Sequence, residues 1–360
     1  MMWSLPIIDR HIGRSVLFST LIVLLVLLIL FTFFAFLDEL KGGNIGRGTY
    51  DTLGALQYVL LGIPRQAYQL FPVSALLGSV IGLGALASNS ELVVMRAAGV
   101  SLLRIMASVM KIGLLFVLAT VFIGEAVAPQ AERYAQTLRS VAVSDKLTLR
   151  GKNGLWARDG QSFINVQEIL PGDRLGKIHI YERDGNYRLK RMLLAQSAFY
   201  RDGQWVLQKV TRNEIGKDRV RIHPQKEIAW DTRLSPDLLN VVTVKPSTLS
   251  AWGLNQYVQY LQDNGLDAAI YEQAFWGKMV TPLVTAVMVF LAMPFVFGPL
   301  RSVSIGHRIM TGTLVGVGFH IINQMFSYMG LVFGLGPVVG AFLPVSLAFI
   351  AGCLMLRRVF

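Results

Sequence analysis

The sequence predicts an α-helical polytopic membrane protein, with six transmembrane helices interrupted by an extra-membrane all-β domain of sandwich or jellyroll-like type. Three observations carry that reading. Apolar residues make up 53% of the 360-residue chain, and mean hydropathy is +0.50, well above an ordinary soluble domain. The apolar residues gather in long runs almost free of charge. Between the third and fourth of these runs, residues 130–270 switch to alternating patterning broken by turn residues.

A helix crossing a hydrocarbon core of about 30 Å needs about 20 mostly apolar residues. Span 1 meets this plainly: no residue between Arg14 and Asp38 is ionisable, and LIVLLVLLILFTFFAF fills most of the interval. The length of that run and the lack of a small-x-small cleavage site predict a permanent span, not a removable signal. Span 2 lies between Arg65 and Glu91, and its stretch GSVIGLGALAS suits close helix–helix approach. Span 3, about 102–127, contains Lys111, whose ammonium is expected to snorkel to the interface. Span 4 lies between Lys278 and Arg301, with Pro282 and Pro294 expected to kink it. From Ile309 to Leu356 the only side chain that ionises near neutral pH is His320. A Gly/Pro cluster at 330–337 divides that run into spans 5 and 6.

Basic residues in short loops set orientation. One side carries Arg10, Arg14, Arg96, Arg104, Lys111, Arg301, Arg308, Arg357 and Arg358. The opposite short loops offer Lys41 and Arg47, with Arg65 at the next helix entrance. Both termini are therefore expected in the cytoplasm, and the insert on the outer side. The domain order is 1–130 (spans 1 to 3, with a short cytoplasmic helix at about 88–99), 131–268 (the β-domain) and 269–360 (spans 4 to 6). The excess of 34 Lys+Arg over 22 Asp+Glu is accounted for by this asymmetry and by anionic headgroups. No nucleic-acid signature accompanies it. The lone Cys353 can form no intramolecular disulfide.

Within the insert, runs 162–169, 176–182, 187–200, 205–214, 227–231 and 238–244 are separated by turn groups such as Pro171-Gly172-Asp173 and Asp184-Gly185-Asn186. They read as antiparallel strands joined by hairpins. Ile178 with Ile180, and Val206 with Val210, place apolar side chains on one face. That face is either a plain packed core or a cleft that shelters an amphipathic ligand or pairs with another β-domain.

The chain lacks a phosphate loop, an HExxH and a CxxC, and its five histidines are scattered. A non-catalytic protein with no metal or cofactor of its own is expected. His320, near Asn323 and Gln324, reads as an interhelical hydrogen bond or a proton relay. The segment SNSELVVMRAAG at 88–99 reads as a short helix stopped by Gly99. Ser88 and Glu91 have capping-box spacing. The alternative is a coupling helix, with Ser90, Glu91, Leu92, Val93, Met95 and Arg96 docking into a cytoplasmic ATPase. Glu91 would then pair with a basic side chain there. A third group, Lys41, Arg65, Arg133 and Arg139, lies at helix ends on the outer side. It serves either headgroup anchoring or recognition of a phosphorylated lipid, which paired guanidinium and ammonium groups suit.

Several stretches in order match a known family: Asp9-Arg10 with Ile12-Gly13, Phe36-Leu37-Asp38-Glu39-Leu40-Lys41, Ser90-Glu91-Leu92-Val93-Val94-Met95, Ala128-Pro129-Gln130, and Phe297-Gly298-Pro299-Leu300-Arg301-Ser302. Over essentially its whole length the chain resembles the lipopolysaccharide-export permeases, the LptF/LptG family. The resemblance implies a six-helix subunit with a periplasmic β-jellyroll in a Gram-negative inner membrane. It implies pairing with a paralogous permease (LptF), a dimer of the ATPase LptB that consumes ATP with Mg, and the single-span LptC. It also implies delivery of lipopolysaccharide to the periplasmic bridge protein LptA. By position, Glu91 takes the coupling role, and Lys41, Arg65 and Arg139 take basic positions associated with lipid phosphates. Ala35 stands where the family can carry a lysine, and Gln136 where it carries an arginine, with Arg133 one turn earlier as a substitute. Each acyl methylene exposed to water costs about 0.8 kcal/mol, so the route must stay apolar. Phe71 is expected along its first part, Ile178 and Ile180 along its second. The alternative is a membrane-anchored scaffold whose β-domain recruits periplasmic partners without forming the lipid path.

Overall fold

The computed structural model describes residues 7–42, 45–46, 49–143, 155–170, 174–184, 188–201, 204–216, 219–230, 232, 246, 249–297, 305–332 and 336–358. Six helices are long and apolar enough to cross a membrane, as the apolar runs require. The helices before the sheet are α1 (Ile7–Lys41), α2 (Thr52–Leu61), α3 (Ile63–Ser88), α4 (Glu91–Ala97) and α5 (Leu102–Phe122). A single π turn, Ile123–Val127, joins α5 to α6 (Ala128–Val143), so the third span continues as one rod past Pro129. After the sheet come α7 (Ala251–Asp263), α8 (Ala269–Phe297), α9 (Ile305–Val332) and α10 (Pro337–Arg357). Helix α8 runs on through both Pro282 and Pro294. The short α2, capped by Asp51 accepting from the Gly54 N–H at 2.8 Å, has no counterpart in the sequence reading.

Spans 2 and 4 form the centre of the bundle. Buried residues fill 72% and 61% of their apolar windows, against 11% for spans 1 and 5. The glycines of α3 explain its tight seat against α1. A Cβ on Gly78 would overlap the Thr20 backbone, and one on Gly82 would lie 2.9 Å from the Ser15 carbonyl. Phe71 and Phe116 meet edge-on at 5.7 Å between ring centroids. Gly99, at φ +86, ends α4 in the left-handed conformation that glycine adopts at least cost.

The insert folds into one six-stranded antiparallel sheet in sequential order: β1 (Leu155–Asp159), β2 (Ser162–Leu170), β3 (Arg174–Arg183), β4 (Leu189–Arg201), β5 (Gln204–Ile215) and β6 (Val220–Trp230). Cross-strand pairs Ile164↔Ile180 and Val166↔Ile178 carry the apolar face from β2 to β3. Ile180↔Leu193 and Ile178↔Ala195 extend it to β4. Strand β6 contains Pro224 opposite Thr211; a proline is tolerated in an edge strand, and β6 is last in order among the described strands. The expected run 238–244 lies outside the described residues. Part of the layer packed on the apolar face is helical: Leu254, Tyr257, Val258 and Leu261 of α7 share its core, and Tyr271 and Phe275 of α8 pack against it. Tyr260 donates to the Arg158 carbonyl at 2.7 Å. Burial first, and the nearby Asp159 carboxylate second, push its phenol up to about 12.

Candidate functional site

Functional side chains collect at the two ends of the bundle. One end holds the start of α1, the end of α3, α4, and the starts of α5 and α9; the other holds the sheet. At the first end Asp9 is buried. Its carboxylate accepts from Lys111 Nζ at 2.5 Å, Ser108 Oγ at 2.5 Å and Arg104 Nη2 at 3.2 Å. Lys111 thus reaches an acid on the neighbouring helix in a charge-assisted contact.

Glu91 opens α4, but the capping box does not form. Ser88 Oγ donates to the Gly84 carbonyl at 2.9 Å, and the N-cap residue Ser90, at φ 60, makes no side-chain cap. Glu91 instead meets His11 Nε2 of α1 at 2.5 Å and Asn89 Nδ2 at 3.4 Å. The His11 hydrogen bond, aided by Asn89 and opposed by slight burial, holds the Glu91 carboxyl below the usual glutamate range. Of the expected docking side chains, Leu92 turns inward and is buried, and Met95 is half-buried against the same core. Val93, Arg96 and Ser90 are exposed. Val94, which the sequence reading left out, is the most exposed large apolar residue of α4, at 65%. A groove of about 380 Å³ runs between Val93, Arg96 and Ala97 on α4 and Val296 and Phe297 at the end of α8.

The outer basic group divides in two. Arg139 Nη2 lies 3.0 Å from Glu39 Oε1 and its guanidinium covers the Tyr58 ring at 4.7 Å. Tyr50 donates to the same Glu39 oxygen at 3.1 Å. Burial, with the Glu39 bond next, pushes the Tyr50 phenol up to about 12. Arg65 Nε sits 3.3 Å from Glu132 Oε2. Lys41 and Arg133 are exposed and make no ion pair among the described residues. Gln136 donates to Glu132 at 3.1 Å, so this residue supports the Arg65 pair. Of the four basic residues, Arg65 and Arg139 are thus paired with acids, and Lys41 and Arg133 have no ion pair among the described residues. Glu39 and Glu132, both buried, are the residues the sequence reading missed. An acid in the last apolar turn of a span needs a partner, which is the signal Glu39 offered.

A third pair lies beside these. Lys278 Nζ donates to the Gly124 carbonyl at 3.0 Å and stands 3.7 Å from Glu125 Oε1. Glu125 also accepts the Ala251 N–H at 2.9 Å, so the π turn holds the first turn of α7. A cavity of about 180 Å³ lies between Arg65, Tyr68, Glu132, Lys278 and Thr281. The residues expected along a lipid path are closed in this structure. Phe71 is 4% exposed in the bundle core, and Ile178 and Ile180 are 0% and 1% exposed in the sheet core, where side chains at native density exclude a ligand. His320 is exposed on α9 and has no hydrogen-bond partner among the described residues, because its helix turns that side away from the bundle.

Fold and site together define a multi-pass membrane protein: a six-span bundle with an exposed short helix at one end and a β-sheet at the other. The model for the family "Lipopolysaccharide export system permease LptF/LptG" matches residues 10–358. The chain is 38% identical over 356 residues to the lipopolysaccharide export system permease protein LptG of Escherichia coli K12, covering 98% of both chains. It is 38% identical over 345 residues to LptG of Haemophilus influenzae, covering 95% of this chain and 96% of the relative. The chain belongs to the LptF/LptG family of lipopolysaccharide-export permeases, multi-pass proteins of the bacterial inner membrane.

Proposed function

We propose that this chain is the transmembrane permease subunit of an ATP-driven lipopolysaccharide exporter, drawing lipid from the inner membrane and passing it through its β-domain toward the periplasmic bridge. In this reading it pairs with LptF and LptC, docks α4 on a dimer of LptB that hydrolyses ATP with Mg, and delivers to LptA. Its termini and α4 are cytoplasmic and its sheet periplasmic. The carrying observation is the contrast between buried spans 2 and 4 and open spans 1 and 5, each with 11% of its apolar window buried. Leu25 on α1 and Ile321 on α9 are among the exposed apolar residues. Two spans in one chain whose outward apolar sides are open supply a wall for a lipid chamber once a second permease closes it. Exposed Val93, Val94 and Arg96 on α4 supply a contact for the energy source at the opposite end from the sheet. Acyl chains stay on apolar surfaces throughout, which avoids about 0.8 kcal/mol per methylene.

Photocrosslinkers at Leu25, Ile321 and Ile178 in the assembled complex test this. The expected result is lipopolysaccharide adducts at Leu25 and Ile321 without nucleotide and at Ile178 only with ATP, when the sheet must open. Adducts absent at Ile178 under turnover would favour the scaffold reading.

A further inference from the structure

Arg308 belongs to the first turns of the fifth span, where loop-charge counting assigns it only an orienting role. It is 2% exposed. Its Nη1 donates to the Gly84 carbonyl, and to Ser88 Oγ at 2.8 Å. Gly84 is required for this approach, since a Cβ there would stand 2.7 Å from Nη1. The guanidinium therefore lies on the last turn of α3, where unpaired carbonyls give the helix end its negative character. A charge removed from water is costly unless it is held in this way.

That turn leads directly into α4. Ser88 is the last residue of α3, and Ser90 at φ 60 starts the coupling helix. Along the rest of its length α9 packs by one narrow face, Gly312 and Gly316 lying against Leu77 and Val73, and leaves its other side open, with 11% of its apolar window buried. A buried contact to the Gly84 carbonyl and Ser88 Oγ at one end of a helix whose outer side is open fixes where that end goes when the turn moves.

From this geometry we infer that Arg308 is a positioning residue for transport. It ties the cytoplasmic end of the fifth span to the turn that carries α4, so that displacement of the coupling helix is handed to a lipid-facing span. The inference rests on the exporter reading above.

The test uses the full complex in proteoliposomes loaded with lipopolysaccharide, measuring lipid released per ATP hydrolysed. Variants are Arg308→Ala, Arg308→Lys, Gly84→Ala, which places a methyl where the guanidinium sits, and the Arg308→Ala/Gly84→Ala pair. The expected result is ATPase turnover retained and lipid per ATP reduced about tenfold in Arg308→Ala and Gly84→Ala, within the range that coupling between two sites ordinarily spans. The pair should be no worse than either single variant, and Arg308→Lys should recover part of the loss. A merely structural arginine would lower assembly and leave lipid per ATP unchanged in whatever complex forms. An unchanged ratio in both single variants, or losses that multiply in the pair, would overturn the inference. Should Arg308→Ala not assemble, Gly84→Ala and Arg308→Lys decide it. Failure of the wild-type complex to release lipid on ATP would instead bring down the exporter reading, and this inference with it.

Discussion

At the α4 end a single buried carboxylate, Asp9, collects Lys111, Ser108 and Arg104, whereas at the sheet end Glu39, Glu132 and Glu125 each face one cation of their own. The first arrangement converges and binds α1 to α5 as one body. The second is distributed over three contacts, each joining a different pair of elements. A converged cluster resists partial opening, because losing its acid strands two cations together. Distributed pairs break singly. On the exporter reading proposed above, rigidity falls at the end that would receive force and separability at the end where lipid would pass.

The largest expected effect tests the converged cluster. Asp9→Ala should lower the unfolding free energy by about 3 kcal/mol, the scale for breaking a buried pair by removing one partner, read as the fall in unfolding midpoint of the purified protein. A loss no greater than that of one outer acid would break the comparison. Next, Glu39→Gln and Glu132→Gln should each cost about 1 to 2 kcal/mol. Because they share no partner, their effects should add within about 0.5 kcal/mol. Marked non-additivity would mean that the outer pairs form one network after all.

Tyr50 gives a pH signature of the outer end. Its phenol titrates near 12 instead of 10.0, so the folded state favours the protonated form. The stability this contributes is present in full below pH 10.0 and is lost as pH rises toward 12. Tyrosinate absorbance should show late-titrating groups, and Tyr50→Phe should remove one of them while Tyr260 still titrates late. The smallest effect on stability belongs to Lys41→Ala and Arg133→Ala. Each should change stability by less than about 0.5 kcal/mol, while reducing retention of phosphorylated over dephosphorylated lipid in a pull-down. Equal retention of the two lipids by the wild-type protein would remove the phosphate role.

The spans were legible because a membrane crossing demands an uninterrupted apolar run. Strands β2 to β5 were legible because hairpin turns punctuate them at short intervals. The start of β6 was hidden by Pro224, which argues against a strand unless the strand lies at an edge. Helix α7 was hidden because its sequence, AWGLNQYVQYLQD, mixes polar and apolar residues within an insert of strand-like character. The basic residues of the site were readable one by one, yet their partners were not. Glu39 and Arg139 lie 100 positions apart, and only the folded bundle brings α1 beside α6. Arg308 shows the same limit in reverse. Its position in a short loop explained it so well as a topology signal that burial against Gly84 gave no sign of itself in the sequence.

In the proposed exporter, force applied at α4 drives lipid out at the far end, and Glu91 is the residue that tests this most directly. Lipopolysaccharide release from proteoliposomes bearing the assembled complex should be measured for Glu91→Lys and Glu91→Ala, with His11→Ala as a control for the contact between α1 and α4. Both Glu91 variants should assemble and release lipid at least about tenfold more slowly on ATP. Release at the wild-type rate from both would contradict the account.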